Sequence, residues 1–111
     1  MSEEIIEKQQ QYGRKDDGGK LPHHLLPFDA IDEISKVLQF GANKYAERNW
    51  EKGMNWSRVF GAMMRHMWAW WMGKGTDPET GYSHLAHAAC CVLFLLAYEI
   101  RGVGGDDRPG S

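Results

Sequence analysis

A chain of 111 residues is shorter than the roughly 150 residues of a typical domain, so its length leaves room for one domain and no separate regulatory module. Its 13 Lys and Arg against 15 Asp and Glu give a net charge of −2, which argues against wrapping duplex nucleic acid or adsorbing to an anionic membrane surface. Hydrophobic residues make up 42% of the chain, with five Trp and six Met, enough for a core but concentrated for so short a sequence.

The opening MSEEIIEKQQQ has no basic segment leading into an apolar one, which argues against secretion and for a cytoplasmic location. Residues 1–24 join this acidic, glutamine-rich start to a polar stretch without apolar periodicity, and are expected to form a flexible arm. LPHHLLPFD, residues 21–29, brings two prolines and large apolar residues and reads as an extended strap before a helix capped by Asp29. Ile31, Ile34, Leu38, Ala42 and Tyr45 then recur at helical spacing, predicting a first amphipathic helix over about 29–46. Polar residues and Gly53 break this pattern, and Asn55 or Ser57 can cap a second helix reaching about Met72. Val59, Phe60, Met63, Met64, Met67, Trp68, Trp70 and Trp71 surround that helix.

GKGTDPETGY, residues 73–82, is turn-rich, and a third helix is predicted from about Ser83 to Arg101, stopped by Gly102. Its apolar run from Leu85 to Tyr98, interrupted by His87, falls short of the ~20 residues that span a bilayer and reads as a buried helix. Cys90 and Cys91 are adjacent; neighbours on a helix diverge by about 100°, so they are badly placed to pair and read as reduced thiols. Residues 103–111 read as a flexible tail.

These elements predict an all-α fold over 25–102, a short bundle of three main helices. About 75 packed residues give a monomer only marginal buried area, and a helix that is apolar all round needs cover on several sides. Homo-oligomerisation is therefore expected to complete the bundle, as a dimer or tetramer with the second and third helices at the interface. The alternative is a Trp-rich monomer core.

Candidate chemistry lies on all three helices. On the first, Asp29, Glu33, Val37, Phe40 and Lys44 are read as sharing the side that faces away from Ile31, Ile34 and Leu38. Phe40 does not suit a solvated face, so this side reads either as a pocket wall, with Glu33 holding a cation and Lys44 a phosphate, or as solvated with one stray aromatic. On the second, Arg58 and Arg65 stand almost in register amid apolar residues. They can meet phosphate oxygens with planar donors or pair with acids across the bundle. His66 beside them is either a ligand or a hydrogen-bonded core histidine. On the third, His84 and His87 at i, i+3 can converge on a metal or an anion, or else cap and bridge helices. Cys91 is too far from His84 for a structural zinc site. His66, His84, His87, Asp77 and Glu79 together suit one polar pocket.

The motifs FGANKY, NWEKG, the Arg65–His66 pair, the tract Trp68 to Gly73, DPETG and HLAHA, within residues 25–100, resemble a phage and prophage family called dATP/dGTP diphosphohydrolase-like. That family is itself similar to the all-α MazG-type nucleotide pyrophosphohydrolases. The resemblance implies an oligomeric all-α protein that cleaves a purine deoxynucleoside triphosphate to monophosphate and pyrophosphate with Mg²⁺ or Mn²⁺. By motif position it implies Lys44, Asn49, Arg65, His66, Asp77, Glu79, His84 and His87 as pocket residues, with Trp50 or Trp56 stacking on the purine.

MazG-type enzymes hold magnesium with E-x-x-E on one helix and E-x-x-D on another. Neither stands in the helical region here; the literal E-x-x-E, Glu4 to Glu7, lies in the N-terminal arm. His84 and His87 occupy the place of the second acidic pair and prefer softer metals. The reading is a nucleotide-handling protein in which Glu33, Asp77 and Glu79 hold metal and Arg58, Arg65 and Lys44 take phosphates. His66, His84 and His87 orient water, hold a metal or bind ligand. A non-catalytic sponge that sequesters a cyclic nucleotide immune signal is the rival.

Overall fold

The computed structural model describes residues 13–16 and 18–110; half of the expected arm, with Glu4 and Glu7, lies outside the described residues. The described chain is all-helical, with no strand. A 3-10 turn at His23–Leu25 precedes helix α1 (Phe28–Lys44), a second at Asn49–Lys52 lies between α1 and α2 (Trp56–Trp71), and α3 (His84–Arg101) follows.

The ends of α3 follow from local chemistry. The Ser83 hydroxyl accepts the Leu85 N–H at 3.1 Å, and Gly102 closes the helix at φ 65°, a left-handed conformation that costs glycine little. Helix α1 starts a residue earlier than expected, with Pro27 in the cap position and no side-chain cap. Asp29 lies inside the first turn, where a carboxylate favours the positive helix end.

Helix α3 is central and packs against both α2 and α1. Its small residues Ala86, Ala88 and Cys90 are buried, which lets the other helices approach closely. From α1 the buried position is Val37, with Ile34 and Leu38 packed beside it. The bundle therefore covers the side that carries Val37 as well as part of the apolar stripe. Tyr98, only 1% exposed, donates its hydroxyl to the Trp50 carbonyl at 2.5 Å, and Trp50 stacks on Phe94 with centroids 4.4 Å apart. These two contacts pin the Asn49–Lys52 turn to α3.

Residues 103–110, expected as a loose tail, run back to the start of α2. The Trp56 N–H donates to the Gly105 carbonyl at 2.9 Å, and the Gly105 N–H to the Met54 carbonyl at 3.2 Å. The Asp107 carboxylate accepts the Ser57 N–H at 2.9 Å and the Ser57 hydroxyl. The first turn of a helix leaves its N–H groups without intrahelical partners, and here the chain's far end supplies them. Asn55, expected to cap α2, contributes no side-chain bond. Gly104 makes this approach possible: at φ 81°, a Cβ would run into the Met54 carbonyl and the Trp56 indole.

Much apolar surface remains open. Phe60, Met64, Trp68 and Trp71 on α2, Met72 just after it, and Val92, Leu93, Leu96 and Ile100 on α3 are exposed, Trp71 to 72%. By length and composition α3 is long and apolar enough to cross a bilayer, which corrects the shorter span read from its sequence. It nevertheless carries the buried His84 and packs on both other helices, as a central bundle helix does.

Candidate functional site

The loop between α2 and α3 is closed by its own hydrogen bonds. The Asp77 carboxylate accepts the N–H groups of Glu79 at 2.9 Å and Thr80 at 3.0 Å, the local pairing for which Asp is favoured in turns, with Pro78 setting the bend. The Asp77 N–H donates to the Tyr82 carbonyl at 2.8 Å, and the His84 N–H to the Gly75 carbonyl at 3.0 Å. This closure sets Asp77 beside the start of α3.

Three imidazoles meet there. His66 of α2 and His84 of α3 bring their Nδ1 atoms to 2.9 Å, and the His66 ring stacks on His87 at 4.6 Å and 11°. His87 Nε2 lies 2.7 Å from the Thr80 hydroxyl, whose own N–H donates to Asp77. Donor atoms of His66, Asp77 and His84 all lie within 4.8 Å of one another. Burial, then repulsion from His87, holds His66 below its ordinary pKa despite the pull of Asp77. Burial likewise lowers His87 against the same carboxylate. For Asp77, burial pushes the pKa up, but the Thr80 and Glu79 amides and the charges of His87 and His66 outweigh it and leave the carboxyl below its usual value. The cluster thus pairs a stable carboxylate with two imidazoles, His66 and His87, biased to the neutral form, which keeps a lone pair for a metal or a proton.

An open cleft of about 870 Å³ lies in front of this cluster, within the size range of small-molecule sites. Lys44, Asn49, Trp50, Arg58, His66, Asp77, Glu79 and His87 all line it, with Val37 and Phe40 of α1 as an apolar wall. The Val37, Phe40 and Lys44 side of α1 is thus a pocket wall. Lys44 reaches Glu79 at 2.8 Å, linking the end of α1 to the loop, and this hydrogen bond and charge hold its ammonium above the usual pKa.

Other candidates stand apart from the cleft or behind it. His84 is 6% exposed and reaches the cluster from within the bundle. Glu33 is paired with Lys36 at 2.7 Å and does not line the cleft. Arg65 lines a second hollow with Met64, Trp68, Met72 and Lys74. Seven residues advance a helix by about 10.5 Å, so long side chains that share a row with Arg58 can still serve different surfaces. Trp56 donates its indole N–H to the Val103 carbonyl at 2.9 Å beneath the Arg108 guanidinium, away from the cleft. Trp50 lines the cleft with a ring already stacked on Phe94. Sequence reasoning missed Thr80, the link between His87 and Asp77. Its signal was its place three residues after Asp in the turn DPET.

An all-helical domain with Lys, Arg and imidazole groups around such a cleft is of a class that can hold an anionic ligand. The chain belongs to the family described as dATP/dGTP diphosphohydrolase, N-terminal, whose model matches residues 10–108. It is 34% identical over 99 residues to a protein of Salmonella phage PMBT28 named dATP/dGTP diphosphohydrolase, an alignment covering 89% of this chain and 34% of that relative. The chain thus spans about a third of the relative's length. No solved structure matches it significantly.

Proposed function

We propose that this chain binds a purine deoxynucleoside triphosphate, dATP or dGTP, in the cleft and hydrolyses it to the monophosphate and pyrophosphate. The reading rests on one observation: cations (Lys44, Arg48, Arg58), imidazoles (His66, His87) and carboxylates (Glu47, Glu51, Asp77, Glu79) from all three helices and two loops line the same cleft. Lys44 and Arg58 would take the phosphate oxygens and offset charge on the leaving pyrophosphate. Asn49 and Phe40 would help fix the nucleoside. The oxygen of a water bonds to phosphorus as the bridging P–O bond breaks, and its proton passes to His66 or His87, both biased toward the neutral form.

Magnesium demands near-octahedral oxygen ligation. The described helices hold neither E-x-x-E nor E-x-x-D, and the closest donor set is two imidazoles with one carboxylate. These residues do not fit protein-bound Mg²⁺; Mg²⁺ carried by the triphosphate belongs to the substrate. The missing acidic pairs favour the second reading, sequestration of a phosphorylated ligand such as a cyclic nucleotide without turnover.

The working unit of this proposal is a homo-oligomer, a dimer or tetramer, because α2 and α3 leave large Trp, Met and Leu side chains exposed that association would cover. The test is turnover of dATP and dGTP by the wild type and by His87→Ala and Lys44→Ala, with products resolved by liquid chromatography and mass spectrometry. Loss of monophosphate and pyrophosphate in both folded variants is expected. Unchanged turnover in both contradicts the cleft as the site, and bound, intact nucleotide recovered from the wild type favours sequestration.

A further inference from the structure

The structure assigns a binding site for a divalent first-row transition metal to His66, His84 and Asp77, at the inner end of the cleft between α2, α3 and the loop that joins them. The donors come from three elements and are brought together by the fold. Two imidazole nitrogens that bind one ion at about 2.0–2.1 Å stand about 3.3 Å apart in a tetrahedral shell and about 2.9 Å apart at a right angle. The two Nδ1 atoms are 2.9 Å apart. Asp77 offers its carboxylate within 4.8 Å of both.

The surroundings have the features of a ligating set. Metal-binding residues are commonly oriented by a further layer of hydrogen bonds, and Asp77 is held by the Thr80 and Glu79 amides. Thr80 in turn meets His87, which stacks on His66. His84 is buried, whereas His66 and Asp77 line the cleft. An ion held by these three would be anchored from inside the bundle and open toward the cleft. Three protein ligands leave at least one coordination position for water or a phosphate oxygen. The two Nδ1 atoms hydrogen-bond when one ring carries its proton there and the other its lone pair.

Donor chemistry sets the selectivity. Imidazole suits Zn²⁺, Fe²⁺, Ni²⁺ and Co²⁺, while Mg²⁺ prefers oxygen and keeps its water. The site is therefore distinct from the magnesium centre that the family resemblance implies, and it stands or falls separately from nucleotide hydrolysis. A chain that binds Co²⁺ but turns nothing over keeps this site and loses the activity.

The test uses the full chain, stripped with EDTA and titrated with Co²⁺. Calorimetry, visible absorption and metal content after dialysis are the readouts. About one Co²⁺ per chain is expected, retained against millimolar Mg²⁺, with affinity falling at least about tenfold in His66→Gln and Asp77→Asn. X-ray absorption of the Co²⁺-loaded wild type needs no variant and should report two imidazole ligands. Failure to take up Co²⁺, displacement by Mg²⁺, an all-oxygen ligand shell, or unchanged affinity in both folded variants overturns the assignment.

Discussion

His66 and His84 stand 18 residues apart in sequence and bring their Nδ1 atoms to 2.9 Å. The contact joins α2 to the first residue of α3, and it forms because the intervening loop closes on itself through Asp77 and Gly75. The imidazole cluster is thus a product of loop geometry as much as of helix packing. Disturbing that loop should damage the chemistry before it damages the fold.

Thr80 is the residue on which to see this. Its hydroxyl meets His87 and accepts the Tyr82 N–H, while its N–H holds Asp77. Thr80→Ala should lower kcat by about 10- to 100-fold, the usual cost of losing an orienting hydrogen bond at such a site, with helicity retained. Thr80→Ser should restore most of the rate. Steady-state kinetics alongside circular dichroism checks both, and an unchanged kcat in Thr80→Ala removes the link from the account.

Lys44 is expected to act on the ligand rather than on stability. Its pairing with Glu79 is half exposed on both sides, and exposed ion pairs contribute little to folding. Lys44→Ala should therefore melt close to the wild type while KM for the nucleotide rises at least about tenfold, as when a charge-assisted phosphate contact is lost. A large fall in melting temperature with KM unmoved would make Lys44 a structural tie.

The docking of residues 103–110 gives a pH-dependent prediction. Hydrogen bonds from the Ser57 hydroxyl and N–H hold the Asp107 carboxyl below the usual carboxylate value of 3.8. A carboxyl lowered in the folded state adds stability above its unfolded value and loses it as pH falls through the folded one. Wild type should outmelt Asp107→Asn at neutral pH, and the gap should close as the pH drops below about 3.8. Equal melting temperatures at neutral pH would mean that the carboxylate does not cap α2.

The open apolar face of α2 and α3 predicts self-association. Trp68 and Trp71, exposed to 65% and 72%, are the largest groups on it. Light scattering coupled to size exclusion should give a dimer or tetramer for the wild type and a smaller species for the Trp68→Glu, Trp71→Glu double variant. A monomeric wild type at micromolar concentration would contradict the oligomer.

The helices were legible in the sequence because their signals are local. Ser83 and Gly102 mark the two ends of α3, and the spacing of Ile34 and Leu38 marks α1. The pocket-wall side of α1 was also legible, since Phe40 has no place on a solvated face. Asp107 was hidden: it caps Ser57 from 50 residues away, and no local pattern ties an Asp in GGDD to the start of a distant helix. Glu33 and Arg65 show the same limit at the site. Their charges suggested ligand contacts, but Glu33 found Lys36 one turn along its own helix, and Arg65 faces a different hollow from Arg58. Periodicity gives a side chain its face; which neighbour covers that face is settled by tertiary packing.

The most direct test of the central claim is to incubate the purified wild-type chain with dGTP and with dATP in ¹⁸O-labelled water, with Mg²⁺, Mn²⁺, Co²⁺ or EDTA. Mass spectrometry then identifies every phosphorus-containing product. Equal amounts of monophosphate and pyrophosphate, with one ¹⁸O in one of the two, are the predicted result. Inorganic phosphate with a diphosphate, or nucleotide that stays intact under every metal condition, would contradict it.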